Sequence, residues 1–370
     1  MLEPGSVLAG YRIERLLGTG GMGSVYLARH PELPRGDALK LLKDEFGEDE
    51  QFRKRFLREA EVAATLDHPN IVTIYNRGQA DGHLWIAMQY VPGSDCAEEL
   101  TKNPNGLPTG QTVDIAAAIA SGLDHAHRKG LLHRDIKPAN ILLSQSPEKD
   151  ERRIMLTDFG VAKLTDDVDT LATTGVVIAT LSYASPEQLQ GLELDGRTDQ
   201  YSLAATVFHL MSGGVPFRGR NTTDVIAAHL SAPVPRLSQL SHTIPPAVDS
   251  VMAKAMAKAP EDRFATCRQF SDALAIALRQ PLPVQPKFPA SQPPPQFRPQ
   301  VPDQMTAVPH VVPQALPYAQ ALPHTRMHSQ SLPIRAAQPA QSEKPTVLIA
   351  AVIGLAIIAI AIIIAIIVVA

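Results

Sequence analysis

Half of the chain's 32 prolines fall between Pro281 and Pro345, and that crowding limits where structure can form. Proline lacks an amide donor and fixes φ, so such a stretch can build neither a helix interior nor a central strand. With scattered Gln and Ala and few aromatics, residues 280–345 read as a disordered or polyproline-like spacer, the alternative being a docking strip for SH3-like partners. Folded structure is therefore expected before residue 280, after a short N-terminal tail at 1–10. Beyond the spacer, Thr346 to Ala370 carries no charge and is dominated by Ile, Ala and Val. At about 1.5 Å per residue, a helix of that length exceeds the ~30 Å hydrocarbon core and is expected to cross a membrane once. Arg335 and Lys344 precede it, and Met1 to Gly10 has neither the basic flank nor the apolar run of a signal peptide, so the body is expected on the cytoplasmic side of the cell membrane. Such a chain is tail-anchored or a form lacking an outside sensor.

A net charge of -3 and a pI near 6.5 argue against nucleic acid as a partner, because phosphate neutralisation needs a basic excess. The two cysteines, Cys96 and Cys267, offer no disulfide framework and no metal-ligand spacing.

Within the body, Tyr11 to Leu17 and Ser24 to Ala28 read as strands around Gly18-Thr19-Gly20-Gly21-Met22-Gly23. Gly18, Gly20 and Gly23 make G-x-G-x-x-G, whose missing Cβ atoms let backbone N–H groups approach phosphate. Strand continues after the glycines instead of a helix, which favours a loop covering phosphates over a dinucleotide turn; a merely flexible hairpin tip is the plain alternative. Asp37 to Leu42 is a third strand with Lys40 among apolar residues. A buried Lys needs a partner, and the helix expected from Glu50 to Leu66 presents Glu59 on the Phe56 and Ala63 side. Strands at Ile71 to Tyr75 and Leu84 to Gln89 lead to a polar hinge at Tyr90 to Ser94. Helical spacing then begins at Gly110 and ends near Arg128; His125 and His127 lie on different helix faces and read as satisfied or exposed histidines.

Leu132-His133-Arg134-Asp135-Ile136-Lys137-Pro138-Ala139-Asn140 concentrates polar chemistry between apolar runs. One tight loop, its torsion partly fixed by Pro138, can aim Asp135, Lys137 and Asn140 at one point. A strand at Ile154 to Thr157 then delivers Asp158-Phe159-Gly160. Asp158 and Asn140 together supply the hard oxygen ligands that Mg²⁺ prefers. Val161 to Ala184 reads as a long loop rich in Thr and Asp, ended by Ser185-Pro186-Glu187. Helices follow from Asp199, Thr223, Ala247 and Cys267. Arg263 is available to pair with Glu187, the alternative being a weak surface bridge.

Taken in order and spacing, Gly18-x-Gly20-x-x-Gly23-x-Val25, Ala38-Leu39-Lys40, Glu59, His133-Arg134-Asp135-x-Lys137-Pro138-x-Asn140, Asp158-Phe159-Gly160, Ser185-Pro186-Glu187, Asp199 and Arg263 resemble the eukaryotic-like (Hanks-type) serine/threonine protein kinases. Gly20-Gly21-Met22-Gly23 and the proline-rich tether look most like the bacterial, actinobacterial membrane-anchored type. The resemblance implies an α+β bilobal kinase domain at 11–279. It would comprise a small lobe at 11–90, with five strands and one helix, and a larger helical lobe at 95–279. It implies ATP in the cleft with Mg²⁺, for which Mn²⁺ can substitute, protein substrates with Ser/Thr hydroxyls, and scope for a dimer of kinase domains. By that similarity Lys40, held by Glu59, binds the α and β phosphates; Asn140 and Asp158 hold the metal; Asp135 orients the substrate hydroxyl; Lys137 stabilises the transferring phosphoryl. Leu17, Val25, Ala38 and Leu142 would sandwich the adenine, Met88 would back the pocket, and Gln89 to Val91 would offer hinge hydrogen bonds. His133 would be a structural prop. Arg134 would read a phosphothreonine at Thr173 or Thr174, less readily at Thr170, whereas Thr180 would be structural. Ala179, Ser185 and Gln89 depart from the family's usual residues. A non-enzymatic pseudokinase scaffold is the alternative, although Lys40, Asp135, Asn140 and Asp158 are all present.

Overall fold

The computed structural model describes residues 2–21, 23–43, 49–144, 153–159 and 181–280. The spacer from 281, the apolar segment 346–370, Gly160, and Thr170, Thr173, Thr174, Ala179 and Thr180 lie outside the described residues. Among the described residues no helix is long and apolar enough to cross a membrane.

The first half of the body is an antiparallel sheet in the order β1-β2-β3-β4-β6-β5: β1 (Val7–Leu8), β2 (Tyr11–Gly20), β3 (Gly23–Arg29), β4 (Gly36–Leu42), β5 (Ile74–Ala80) and β6 (His83–Gln89). It has six strands where five are expected. The additional one pairs Leu8 with Tyr11 across Ala9 and Gly10, both at positive φ (46° and 87°), the twist that a two-residue hairpin turn requires. Two residues are too few to show alternation, so this strand leaves no periodic signal, yet its Leu8 is buried. β5 also begins later than expected. Ile71 and Val72 plug the core, Ile71 forming only a bridge to Leu156, while the strand continues through the polar Asn76-Arg77-Gly78. Gly78 is required there, because a Cβ would come within 2.9 Å of the Trp85 ring.

Helix α1 (Glu50–Ala63) crosses one face of this sheet. Asp49 caps it, accepting from the amides of Gln51 and Phe52, and its apolar stripe of Phe52, Phe56, Ala60 and Ala63 is buried.

A three-stranded sheet, β7 (Gly93–Asp95), β8 (Ile141–Ser144) and β9 (Ile154–Leu156), opens the second half, so part of the expected hinge is a strand. The rest is helical: α2 (Cys96–Lys102), α3 (Thr109–Arg128), α4 (Pro186–Leu189), α5 (Gly196–Ser212), α6 (Thr222–Ser231), α7 (Leu237–Leu240), α8 (Ala247–Ala255) and α9 (Cys267–Leu278). Helix α5 is buried nearly all round, and α3, α8 and α9 pack on it. Its polar side chains therefore need internal partners. Gln200 donates to the Ala255 carbonyl (3.1 Å), Thr206 to Ser202 O (2.8 Å), and Tyr201 shares a hydrogen bond with His229 (3.0 Å).

Glu187 on α4 and Arg263, which follows a short 3₁₀ turn, form a bidentate pair at 2.7 and 2.8 Å, and Thr198 donates to the same carboxylate. Both side chains are buried, 4% and 0% exposed, so this is not the surface bridge that is the alternative from sequence. Burial alone would raise the Glu187 carboxyl pKa, but the bonds and charge of Arg263 outweigh it and hold the group below the usual carboxylate range. A carboxyl depressed in the folded state stabilises fully above its unfolded value of about 4.3 and loses that contribution as pH falls through the folded one. Arg263→Ala strands the carboxylate and is expected to cost about 3–5 kcal/mol. Denaturant unfolding of the full chain measures this. The difference between wild type and variant is expected to shrink when the pH is lowered below about 4; a difference constant with pH would contradict the account.

Candidate active site

Val25 on β3 pairs with Lys40 on β4, and Ala38 pairs with Met88 on β6. The period of two places Ala38, Lys40, Val25 and Met88 on one side of the sheet. Leu17, Val25, Tyr90, Val91 and Leu142 pack against a buried cluster that includes Ala38, Val72, Met88 and Met155. The apolar residues expected around an adenine thus meet in one cluster. Gln89, at its edge, donates its amide to Thr73 O (2.8 Å). Gly18, Gly20 and Gly23 form the closed end of the β2–β3 hairpin, with Gly18 opposite Val25 and Gly20 opposite Gly23. A Cβ on Gly18 would meet nothing within 4 Å, whereas one on Gly23 would lie 1.8 Å from the Leu41 carbonyl oxygen. Gly23 is therefore a requirement of sheet packing, and Gly18 leaves open space.

Lys40 reaches across to Asp158, Nζ to Oδ1 at 2.7 Å. Glu59 differs from expectation: its Oε1 lies 3.8 Å from Arg134 Nη1, and Lys40 pairs with Asp158 instead. The physical reason is competition, since two cations and two carboxylates share this region and the shorter Lys40 contact goes to the carboxylate at the end of β9. Burial raises the Glu59 carboxyl pKa, with Arg134 and Arg55 opposing.

In the loop after α3, Lys137 Nζ sits 2.9 Å from Asp135 Oδ2. Asn140 donates through Nδ2 to the Asp135 carbonyl (2.7 Å) and to its Oδ2 (3.2 Å). These bonds orient the amide, leaving Oδ1 as its ligand end. Asp135, Lys137 and Asn140 are thus brought together, as the sequence suggests, and Thr157 N donating to Asn140 O (3.0 Å) ties them to the segment carrying Asp158. Both Arg134 (φ 63°) and Asp158 (φ 62°) are held in the left-handed region, a local strain that persists only where surroundings enforce it.

Those surroundings are visible. His133 is fully buried; its Nδ1 accepts from Asp135 N (3.2 Å), so Nε2 carries the proton and donates to Thr157 O (2.9 Å), while the ring packs on Phe159 with centroids 4.7 Å apart. Burial lowers its pKa against the opposing charge of Asp199, which suits a neutral prop. Asp199, at the start of α5, accepts from His133 N (2.8 Å), Arg134 N (2.8 Å) and His127 Nε2 (2.7 Å). Burial would raise its pKa, but the His127 bond and charge, helped by His133, bring it below the usual value. Asp124, His127 and Cys267 also lie within metal-ligand reach of one another. Their atoms have other duties: His127 serves Asp199, and Asp124 accepts from the Cys267 and Arg268 amides (3.0 and 3.1 Å), capping α9. The motif series includes Asp199 but gives it no role, and His127 reads from sequence only as a satisfied or exposed histidine; a carboxylate in so apolar a helix nevertheless signals a buried charge in need of donors.

A protein kinase domain model matches residues 11–274. This chain belongs to the protein kinase family. It is 51% identical over 278 residues to the serine/threonine-protein kinase PknF of Mycobacterium tuberculosis, covering 75% of this chain and 58% of that protein. Over 279 residues it is 50% identical to PknJ of the same species, covering 75% and 47%. This chain thus spans about half the length of the curated relatives it matches. The crystal structure of the Mycobacterium tuberculosis PknI kinase domain superposes with a TM-score of 0.62 at 40% identity, covering 75% of this chain and all of that one.

Asp199→Asn replaces one acceptor with a donor facing backbone N–H groups. It is expected to destabilise the full chain by about 3 kcal/mol and to speed hydrogen exchange at the amides of 133–135. Unchanged protection of those amides would remove Asp199 as the clamp.

Proposed function

We propose that this chain is a membrane-anchored serine/threonine protein kinase, transferring the γ-phosphoryl group of ATP to protein hydroxyls under control of phosphorylation on its own loop. The observation that carries the reading is the convergence of Asp135, Lys137 and Asn140 within 3.2 Å contacts, beside a Lys40–Asp158 pair under a glycine-tipped hairpin. The relatives' names support the Ser/Thr assignment.

In this reading the adenine lies among Leu17, Val25, Ala38 and Leu142, with Gln89 and Val91 at the hinge. Gly18 and Gly20 admit the phosphates, and Lys40 binds them. The oxygens of Asp158 and Asn140 are a donor set that fits Mg²⁺. An ion held there would offset negative charge on the ATP phosphates. Asp135 accepts a hydrogen bond from the substrate hydroxyl and aims it, while Lys137 offsets charge on the transferring group. The transition state is loose and anionic, so positioning and cations supply most of the rate.

Glu59 exchanges Arg134 for Lys40 as the site assembles. A phosphate on Thr173 or Thr174, with Thr170 as the lesser choice, gives Arg134 a stronger partner and releases Glu59. Residues 346–370 anchor the protein in the cell membrane, and 280–345 tether a cytoplasmic kinase domain to it.

The full chain in detergent micelles with Mg-ATP is expected to label itself and casein. Asp135→Asn is expected to reduce transfer by about a thousandfold or more while ATP still binds. Labelled peptides should contain Thr173 or Thr174. Nucleotide binding without any transfer by the wild type would favour a scaffold, and activity surviving in Asp135→Asn would sink the role given to that residue.

A further inference from the structure

The strained Arg134 backbone is held at both of its polar groups by side chains, and only one of them belongs to the large buried clamp. Its N–H is taken by Asp199 Oδ1; its carbonyl accepts from Gln188 Nε2 at 2.9 Å. Gln188 stands on α4, and its other amide end, Oε1, accepts from Ser185 N (3.1 Å) and Ser185 Oγ (3.3 Å), while Ser185 Oγ accepts from Gln188 N (3.3 Å). The orientation of the amide is forced, because Ser185 N–H can only donate and the Arg134 carbonyl can only accept. Its base is fixed as well: Ser185 is fully buried, and the neighbouring Glu187 is locked to Arg263. A side chain on an immovable post thus grips the peptide group that joins Arg134 to Asp135.

We propose that Gln188 is a positioning residue for phosphoryl transfer. By fixing the Arg134–Asp135 peptide plane it sets the direction of the Asp135 carboxylate, and it links that carboxylate to the segment just after the loop at 181–185. This rests on the reading of Asp135 as the group that orients the substrate hydroxyl. The Gln188 side chain bonds Ser185 and the Arg134 carbonyl and none of the residues read as holding nucleotide, so its effect belongs in turnover and not in nucleotide affinity.

The two ends of the amide can be separated by substitution. Gln188→Glu keeps an acceptor for Ser185 N–H but sets a carboxylate oxygen against the Arg134 carbonyl. Gln188→Met keeps the shape and loses both bonds. With the full chain, Mg-ATP and casein at neutral pH, Gln188→Glu is expected to lower kcat about tenfold or more, with KM for ATP within about twofold of wild type. Gln188→Met is expected to lower kcat less. Lowering the pH through the carboxyl range lets the introduced Glu donate, so the ratio of Gln188→Glu to wild-type kcat is expected to rise while the Gln188→Met ratio stays flat. Wild-type kcat in both variants, or a kcat loss that is the same for Glu and Met at every pH and follows their melting temperatures, overturns the proposal. The reading beneath it fails separately, by transfer persisting in Asp135→Asn.

Discussion

The buried carboxylate of Asp199 is the contact on which the site depends. A charge with no exposure to water must be matched by donors, and Asp199 finds three, two of them backbone amides of the loop that carries Asp135. The cost of burying the anion is offset only when the loop adopts one shape. The left-handed Arg134 is part of that shape, and the strain it carries is tolerated because the alternative leaves Asp199 short of donors. Loop geometry is thus set from below, by α5, before any ligand arrives.

A second layer of restraint comes from the sides. His133 joins the loop to Thr157 and packs on Phe159, and Asn140 O holds Thr157 N, so the Asp135 loop and the Asp158 segment are tied together at three points. On the opposite flank α4 is tied through Glu187 and Arg263 to the segment before α9. The same site holds an ionic quartet of Lys40, Asp158, Glu59 and Arg134, whose side chains are only partly buried.

Much of this is legible in the sequence, and the boundary has a physical cause. Lys40 among apolar strand residues and Asp135, Lys137 and Asn140 in a proline-stiffened loop follow from period and spacing, whereas the adenine-side apolar set follows only from the resemblance to the kinase family. What spacing cannot give is a partner when several compete. Glu59 lies on the face that the periodicity indicates, yet its contact is Arg134, because Asp158 takes the Lys40 ammonium at the shorter distance. The pair of Glu187 and Arg263 was placed by sequence, but its burial was not, since the helices covering it are far apart in the chain. Val7–Leu8 escaped because two residues cannot display a period, and Gln188 because its amide bonds to backbone, which carries no side-chain signature.

The glycines of the hairpin carry a further consequence. Gly23 is fixed by the Leu41 carbonyl, so any chain folding β3 onto β4 at this distance would need glycine there whether or not a nucleotide ever bound. Gly18 carries no such demand from its own sheet. The structural content of G-x-G-x-x-G is therefore uneven: its last glycine is demanded by the packing of the sheet, and its first is not.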